Sequence, residues 1–369
     1  MKTDMNIEYA SKEKRFPVFE SRIKGSRLAV ICDINTEVYA DRLIGVLSGI
    51  AEDIKKICFY EDELVPDEHV YLRVIRESRG SDYILAVGSG SLNDTAKYAA
   101  RENGIKSGVY ATAASMDGYA SNGAPMMENG FKVTENCASP LDILIDTDVI
   151  CASPHLLTAS GFGDIAGKYT CLADWKLSNI INGEEINAEA FTLMEKALFD
   201  CMDSYDGLTR YENAAVAKLT DALITAGVSM AICGNSRPAS GSEHHFSHFL
   251  EMDFVRRKEK VPPHGIKVAI GTLISLEMYN FLRDENIDCP EKEKVYALVS
   301  SLPKTEDVKA KLVGMGCPVR FSEIGVRRET MEDMLYNAYK VRDRFTVLTL
   351  YARLGITDMI RDRIMERYF

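Results

Sequence analysis

At 369 residues, with 46% hydrophobic and 27% charged side chains, the chain is long enough for two domains and ordinary in composition for a folded protein. Its net charge of −11 argues against general nucleic-acid binding, because neutralising phosphates needs clustered Lys and Arg, and no nucleic-acid motif appears. Nine cysteines, scattered and never spaced C-x-x-C, exclude a disulfide framework or thiolate zinc site and are expected to be reduced thiols of a cytoplasmic protein. The N-terminus, MKTDMNIEYASKEKRF, has no apolar core, and no run is expected to reach the length of a membrane span.

Short apolar runs alternate with helical stretches through the first part of the chain. Strands are expected at 26–33 (SRLAVICD), 55–60 and 83–87 (YILAV), with helices at 37–52 and 69–78 between them. This alternation reads as β-α-β units with a parallel sheet, a Rossmann-like α/β domain over residues 1–152. Asp33 ends the first strand, where a carboxylate can accept from ribose hydroxyls and repel an added phosphate; a plain turn or helix cap reads equally well.

After the third strand comes GSGSLNDTAKYAA, residues 88–100. Gly88 and Gly90 allow a tight turn and close approach, and the free amides opening the next helix can hold a pyrophosphate. The turn is not G-x-G-x-x-G, and many structural strand-turn-helix units look alike. A strand at 107–110 then leads into ATAASMDGYASNGAP, residues 111–125, whose small residues could let a flat ring lie near the backbone. Thr112, Ser115 and Ser121 offer hydroxyls and Asp117 the one carboxylate; an ordinary polar loop has the same make-up. Strands are further expected at 131–134 and 142–146.

From Ser153-Pro154 helices dominate, giving an all-α domain over 153–369. Asp164 lies among apolar residues, where a lone carboxylate is costly without a partner; a metal or Lys168, four residues on, could serve. Further helices are expected at 188–202, 213–232, 266–286, 291–300, 305–314, 329–340 and 355–367. Four of the six histidines fall in GNSRPASGSEHHFSHFLEMDFVRRKEKVPPHGIK, residues 234–267. His244 and His248, four apart, share one face of a helix whose start is marked by Pro238 and by Ser240 and Glu243 at capping-box spacing. His245 reads as a surface or satisfied core residue, and His264, after two prolines, as part of a returning loop. Such a face and loop could hold a metal, given a third ligand from elsewhere, although the spacing matches no short zinc signature.

Taken in order, VGSGSLNDTAK, TAASMDGYAS, SGFGDIAGK, SRPASGSEHHFSH and PHGIKVAIGTL resemble the sn-glycerol-1-phosphate dehydrogenases across nearly the whole chain. These belong to a wider group that includes the glycerol dehydrogenases, iron-containing alcohol dehydrogenases and dehydroquinate synthases. The resemblance implies the dehydroquinate synthase-like fold, with an active site in the cleft between a nucleotide-binding domain and a helical domain. It also implies a role in phospholipid metabolism and a homodimer or higher homo-oligomer.

By the same resemblance, Asp164, His244 and His264 are the metal ligands, for zinc, or nickel or iron as in relatives. His248 faces the substrate, and Asp117 binds its hydroxyls beside the nicotinamide. Gly88, Gly90, Ser91, Leu92, Asn93 and Asp94 form the pyrophosphate loop, with Thr112, Ser115 and Ser121 as further cofactor contacts. Two positions depart from the pattern: Ser89 replaces the usual middle glycine of the loop, and Met116 a histidine common before Asp117 in archaeal members, which suggests a bacterial-type branch.

The implied reaction is reversible reduction of dihydroxyacetone phosphate to sn-glycerol 1-phosphate, with NAD favoured by Asp33 over NADP. Arg237, Lys168 and Lys267 are the cations nearest the site residues in sequence and the candidates for holding the substrate phosphate. Beside this reading stand a non-catalytic nucleotide-binding or structural protein, which would keep the fold and leave the metal site empty, and two enzymatic alternatives. One is a dehydrogenase of free glycerol or another small polyol or alcohol; the other is a dehydroquinate synthase-like cyclase, against which Asp164 counts because it stands where that enzyme usually has a glutamate ligand.

Overall fold

The computed structural model describes residues 5–61, 64–128 and 131–369. They form two compact units: Met1–Ala114 with Gly118–Pro154 and Tyr211–Thr220, and Ser115–Asp117 with His155–Arg210 and Asp221–Phe369. The main break falls after Pro154, two residues beyond the expected boundary at 152, and two segments cross it. Ser115–Asp117 leaves the α/β sequence to join the helical unit, and Tyr211–Thr220 goes the other way.

The first unit runs β1 (Asn6–Tyr9), α1 (Pro17–Arg22), β2 (Arg27–Asp33), α2 (Glu37–Leu47), β3 (Asp53–Phe59), α3 (Glu68–Glu77), β4 (Tyr83–Gly88) and α4 (Gly90–Asn103). It continues with β5 (Lys106–Ala111), β6 (Gly123–Glu128), β7 (Phe131–Asn136), β8 (Asp142–Ile145) and α5 (Thr147–Cys151). Six strands form one sheet in the order β1-β8-β5-β4-β2-β3, every pairing parallel, while β6 and β7 make a separate antiparallel hairpin. The apolar runs are central because both faces are covered: every residue of β4 is buried, as are Leu28 to Cys32 of β2.

From β2 the chain steps outward to β3, then returns across β2 to β4 and proceeds the other way through β5 and β8. The order therefore reverses between β2 and β4, whose carboxyl ends carry Asp33 and Gly88. In open α/β sheets that is where ligands bind. β1, α1 and β6 were not legible in the sequence, β6 lying inside a stretch that reads as loop. The helix before β4 starts where Asp67 accepts from the Val70 amide. Asp67→Ala should cost about 1 kcal/mol of stability; urea unfolding with an unmoved midpoint would dismiss that cap.

The helical elements are α6 (His155–Ala166), α7 (Lys168–Asn182), α8 (Ala188–Met202), α9 (Tyr205–Thr209), α10 (Asn213–Cys233) and α11 (Ser242–Arg257). α12 (His264–Asp284), α13 (Lys292–Ser300), α14 (Thr305–Gly314), α15 (Arg328–Asn337), α16 (Val347–Leu354) and α17 (Thr357–Tyr368) complete them. α12 is almost wholly buried along its length, which is why its sequence shows no polar face. Contrary to the sequence expectation, α10 is by length and composition apolar enough to cross a membrane, with a mean hydropathy of 1.5; half of that window is buried inside the protein, and core helices share this composition.

Two glycines let α6 and α12 touch backbone to backbone. A Cβ on Gly265 would lie 1.8 Å from the Ser160 carbonyl oxygen, and one on Gly163 would lie 2.5 Å from the carbonyl oxygen of Gly265. The Gly265 amide also donates to the Ser160 hydroxyl at 3.0 Å. This contact sets Asp164, on α6, next to His264, the first residue of α12.

Candidate active site

Three residues far apart in sequence meet in the helical unit: Asp164, His244 and His264 each offer a ligand atom, all within 4.8 Å of one another. Asp164 sits inside α6 and is fully buried. His264 opens α12 after the Pro263 cap, so the expected loop is in fact a helix start. His244 stands in the first turn of α11, as expected, but the cap there is Gly241 and not Ser240. A side chain at 241 would meet Asp174 Oδ2 at 2.5 Å, so only glycine brings the chain past α7 at that point.

Buried carboxylates fix this helix start. Asp174 accepts from the Ser242 amide at 2.6 Å, the Val347 amide at 2.7 Å and the Tyr279 hydroxyl at 2.6 Å. Glu243 accepts from the Gly241 amide and the Thr170 hydroxyl, both at 2.6 Å, and its Oε1 lies 2.8 Å from His244 Nδ1. The sequence suggested Glu243 only as a capping residue. Its second job, orienting a ligand imidazole, is signalled by nothing except its place directly before His244.

Burial, followed by the charge on Lys168, pushes the His244 basicity well below its usual range, so the ring is neutral. His244 Nε2 stands 3.7 Å from Asp164 Oδ1, and donation from Nδ1 to Glu243 would leave the ring's lone pair on that nitrogen. A lone pair opposite a carboxylate oxygen calls for a cation, and 3.7 Å is within the span of two coordination bonds of about 2.1 Å. Charge points the same way. Asp117 and Asp164 share one buried cation, Lys168, leaving a net negative charge that a divalent ion would offset. One carboxylate and two imidazoles suit a metal such as zinc.

Lys168 donates to Asp117 Oδ2 at 2.5 Å, Asp164 Oδ1 at 2.9 Å and the Ala239 carbonyl at 2.9 Å. Burial alone would lower its pKa, but Asp117 and Asp164 outweigh burial and raise it. All three protons are spent, so its part here is to neutralise carboxylates, leaving no donor for a substrate phosphate. Asp117 is held twice: its amide donates to Asp164 Oδ2 at 3.0 Å, and its carboxylate meets Lys168. Burial, then repulsion from Asp164, raises the Asp117 carboxyl above its ordinary range, against the pull of Lys168. His248 stands near both ligand rings, with centroids 6.1 Å from His244 and 6.0 Å from His264. His245 points elsewhere and is fully buried; neither ring nitrogen has a hydrogen-bond partner among the described residues, contrary to the expected satisfied core or surface residue.

In the α/β unit, the turn from β4 to α4 presents Gly90 and Ser91 at a helix start with no acidic residue in its first turn, as an anion site requires. Gly88 has a packing reason to be glycine, since a Cβ would meet Leu92 Cδ1 at 2.3 Å, and Leu92 is itself buried core. Asn93 Nδ2 reaches the Tyr119 carbonyl at 3.3 Å, while Asp94 pairs with buried Lys97 at 2.8 Å. Lys97 in turn donates to the Gly123 carbonyl at 2.5 Å. Asn93, Asp94 and Lys97 therefore brace the loop carrying Ser121, whose hydroxyl hydrogen-bonds the Gly118 carbonyl at 3.0 Å. The Thr112 amide donates to the Gly88 carbonyl at 3.1 Å, and Thr112 is buried. Ser115 lies with the helical unit, its carbonyl accepting from the Ser160 hydroxyl at 2.9 Å. Asp33 Oδ1 is engaged by the Asn35 and Thr36 amides and the Thr36 hydroxyl, the turn-and-cap arrangement.

Residues 10–154 match the family model described as iron-containing alcohol dehydrogenase. The chain is 33% identical over 330 residues to the glycerol-1-phosphate dehydrogenase [NAD(P)+] of Bacillus velezensis, covering 87% of this chain and 84% of that protein. The protein of the same name from Methanosarcina mazei is 27% identical, over 89% of this chain and 84% of its own length. Among solved structures, glycerol dehydrogenase from Schizosaccharomyces pombe superposes with a TM-score of 0.72 at 17% identity, covering 98% of this chain and 90% of that one. A probable glycerol dehydrogenase from Sinorhizobium meliloti gives 0.67 at 19% identity, covering 97% and 98%. At such identities the structural matches speak to fold alone.

Proposed function

The chain belongs to the glycerol-1-phosphate dehydrogenase family, and from that premise we propose that it interconverts dihydroxyacetone phosphate and sn-glycerol 1-phosphate with NAD(P). The observation that carries the site assignment is the convergence of Asp164, His244 and His264, whose ligand atoms all lie within 4.8 Å of one another, with His244 Nε2 3.7 Å from Asp164 Oδ1, a constellation suited to a divalent metal. Zinc fits this donor set best, with nickel or iron as substitutes. When bound, the metal supplies Lewis acidity toward the substrate oxygen at C2 and the dinucleotide supplies or accepts the hydride.

The chain's own groups place and protonate. Asp117, paired with Lys168, accepts from substrate hydroxyls. His248, beside both ligand rings, is the group for the proton that reduction adds at the C2 oxygen. Glu243 keeps the His244 lone pair turned toward the site. In the other unit, Gly90 and Ser91 open the helix that receives the pyrophosphate, with Thr112 and Ser121 on the adjoining segments. Asp33 at the end of β2 favours NAD over NADP, since a further phosphate there meets a carboxylate. Nine free cysteines suit a cytoplasmic location, and a homodimer is the assembly we propose.

The test is the oxidation of NADH followed by absorbance with dihydroxyacetone phosphate, on protein whose metal content has been measured. Turnover of dihydroxyacetone phosphate with stoichiometric zinc, nickel or iron is expected. Turnover of unphosphorylated polyols alone would overturn the substrate; full activity in metal-free protein would overturn the centre.

A further inference from the structure

We propose that Arg342 and Arg344, together with Arg237, form the anion site that holds the phosphate of the three-carbon substrate. This rests on the dehydrogenase reading above and deepens it. Of the three cations nearest the site in sequence, Lys168 is saturated and Lys267 is buried and donates to the Pro262 carbonyl at 2.8 Å, which leaves Arg237. The segment after α15 brings two arginines, about a hundred residues from the histidines in sequence, to the loop that precedes α11.

Arg342 Nη1 and Arg344 Nη2 both donate to the Ser236 hydroxyl, at 3.1 and 3.0 Å, so the two guanidinium groups stand side by side. Arg344 also binds the Ser240 carbonyl. Arg237 is buried and uses Nη2 alone, on the Asp174 and Phe345 carbonyls and on Glu184 at 2.9 Å. Its Nε and Nη1 find no hydrogen-bond partner among the described residues; nor do the buried Ser240 hydroxyl and both nitrogens of His245. Orphaned buried polar groups of this kind are costly, and the Arg237 donors among them call for a group with several acceptor oxygens.

Acidic compensation is thin. Glu184 pairs with Arg237 and Glu251 acts on Arg342 at longer range, but no carboxylate forms an ion pair with Arg342 or Arg344 among the described residues. Burial, then Arg237 and Arg342, depresses Arg344 to about 10. The cluster lies on the segment that leads into α11 and His244: Arg344 binds the Ser240 carbonyl, and Arg342 and Arg344 both bind the Ser236 hydroxyl. A forked guanidinium pair with unpaired charge matches a phosphate dianion, and a three-carbon chain spans only a few ångströms.

The measurement compares wild type with Arg342→Gln and Arg342→Lys, all metal-loaded and full-length, on dihydroxyacetone phosphate and on unphosphorylated dihydroxyacetone. Losing charge-assisted hydrogen bonds should lower the ratio of kcat/KM between these substrates by about 10- to 100-fold in Arg342→Gln, mostly through KM. Arg342→Lys should recover part of it. Inorganic phosphate should inhibit wild type competitively and Arg342→Gln far less. If the arginines only brace the 236–240 loop, both substrates fall together and the ratio stands, which overturns the proposal. Should Arg342→Gln unfold, the ratio in Arg342→Lys and Arg344→Lys decides, since a retained ratio there together with unchanged phosphate inhibition is equally fatal. Wild type that does not turn over dihydroxyacetone phosphate sinks the dehydrogenase reading and the substrate assignment with it; wild-type turnover with an unchanged ratio sinks the arginine site alone.

Discussion

His264→Ala is expected to empty the metal centre and stop turnover while leaving the protein folded. His264 is one of the three ligand groups of the trio found among the described residues. Losing even an outer-shell partner weakens metal binding about 10- to 100-fold, so loss of a ligand should exceed that. Removing several kcal/mol of charge stabilisation at the reacting oxygen corresponds to a fall of about 10³ or more in rate. Asp164→Ala should be as severe for catalysis but is the less clean variant. It leaves buried Lys168 with one carboxylate instead of two, and breaking a buried pair costs about 3–5 kcal/mol. Asp164→Asn keeps the shape and separates the two effects. Metal analysis beside thermal unfolding decides: a His264→Ala protein that retains stoichiometric metal ends the ligand assignment.

Gly265→Ala should be nearly as damaging without touching a ligand. The added methyl would sit 1.8 Å from a backbone oxygen that has no rotamer to adopt, so α6 and α12 must part. Overpacking of this kind costs about 1–3 kcal/mol, and here the upper end or beyond is expected because the obstacle is main chain. Parting the helices moves Asp164 from His264, so zinc affinity should fall along with the melting temperature. Calorimetric unfolding and a zinc titration read the two losses; an alanine variant with native values in both would mean the helices do not approach as described.

The parallel sheet was legible because its strands are continuous apolar runs buried on both faces, a pattern that survives without context. Short elements were not. β1, of four residues, and α16, which begins after an irregular segment, carry too little periodicity to stand out. Within the site, the spacing of His244 and His248 announced one helix face, but only the resemblance joined Asp164 and His264 to it. What joins them physically is the contact at Gly163 and Gly265, and a glycine does not advertise what it touches. Lys168 showed the opposite problem: its spacing from Asp164 gave the ion pair correctly and concealed that Asp117 shares it. Arg342 and Arg344 were out of reach because the loop they meet lies about a hundred residues away.

All three metal-ligand candidates, with Asp117, Lys168 and the carboxylates that aim them, belong to a single compact unit. Nothing about the dinucleotide is needed to build that nest. Loading should therefore be ordered by lifetime: the ion taken up once, early and held, the coenzyme exchanged at every turnover. Calorimetry of zinc binding should give the same affinity in cofactor-free protein as in protein saturated with NAD.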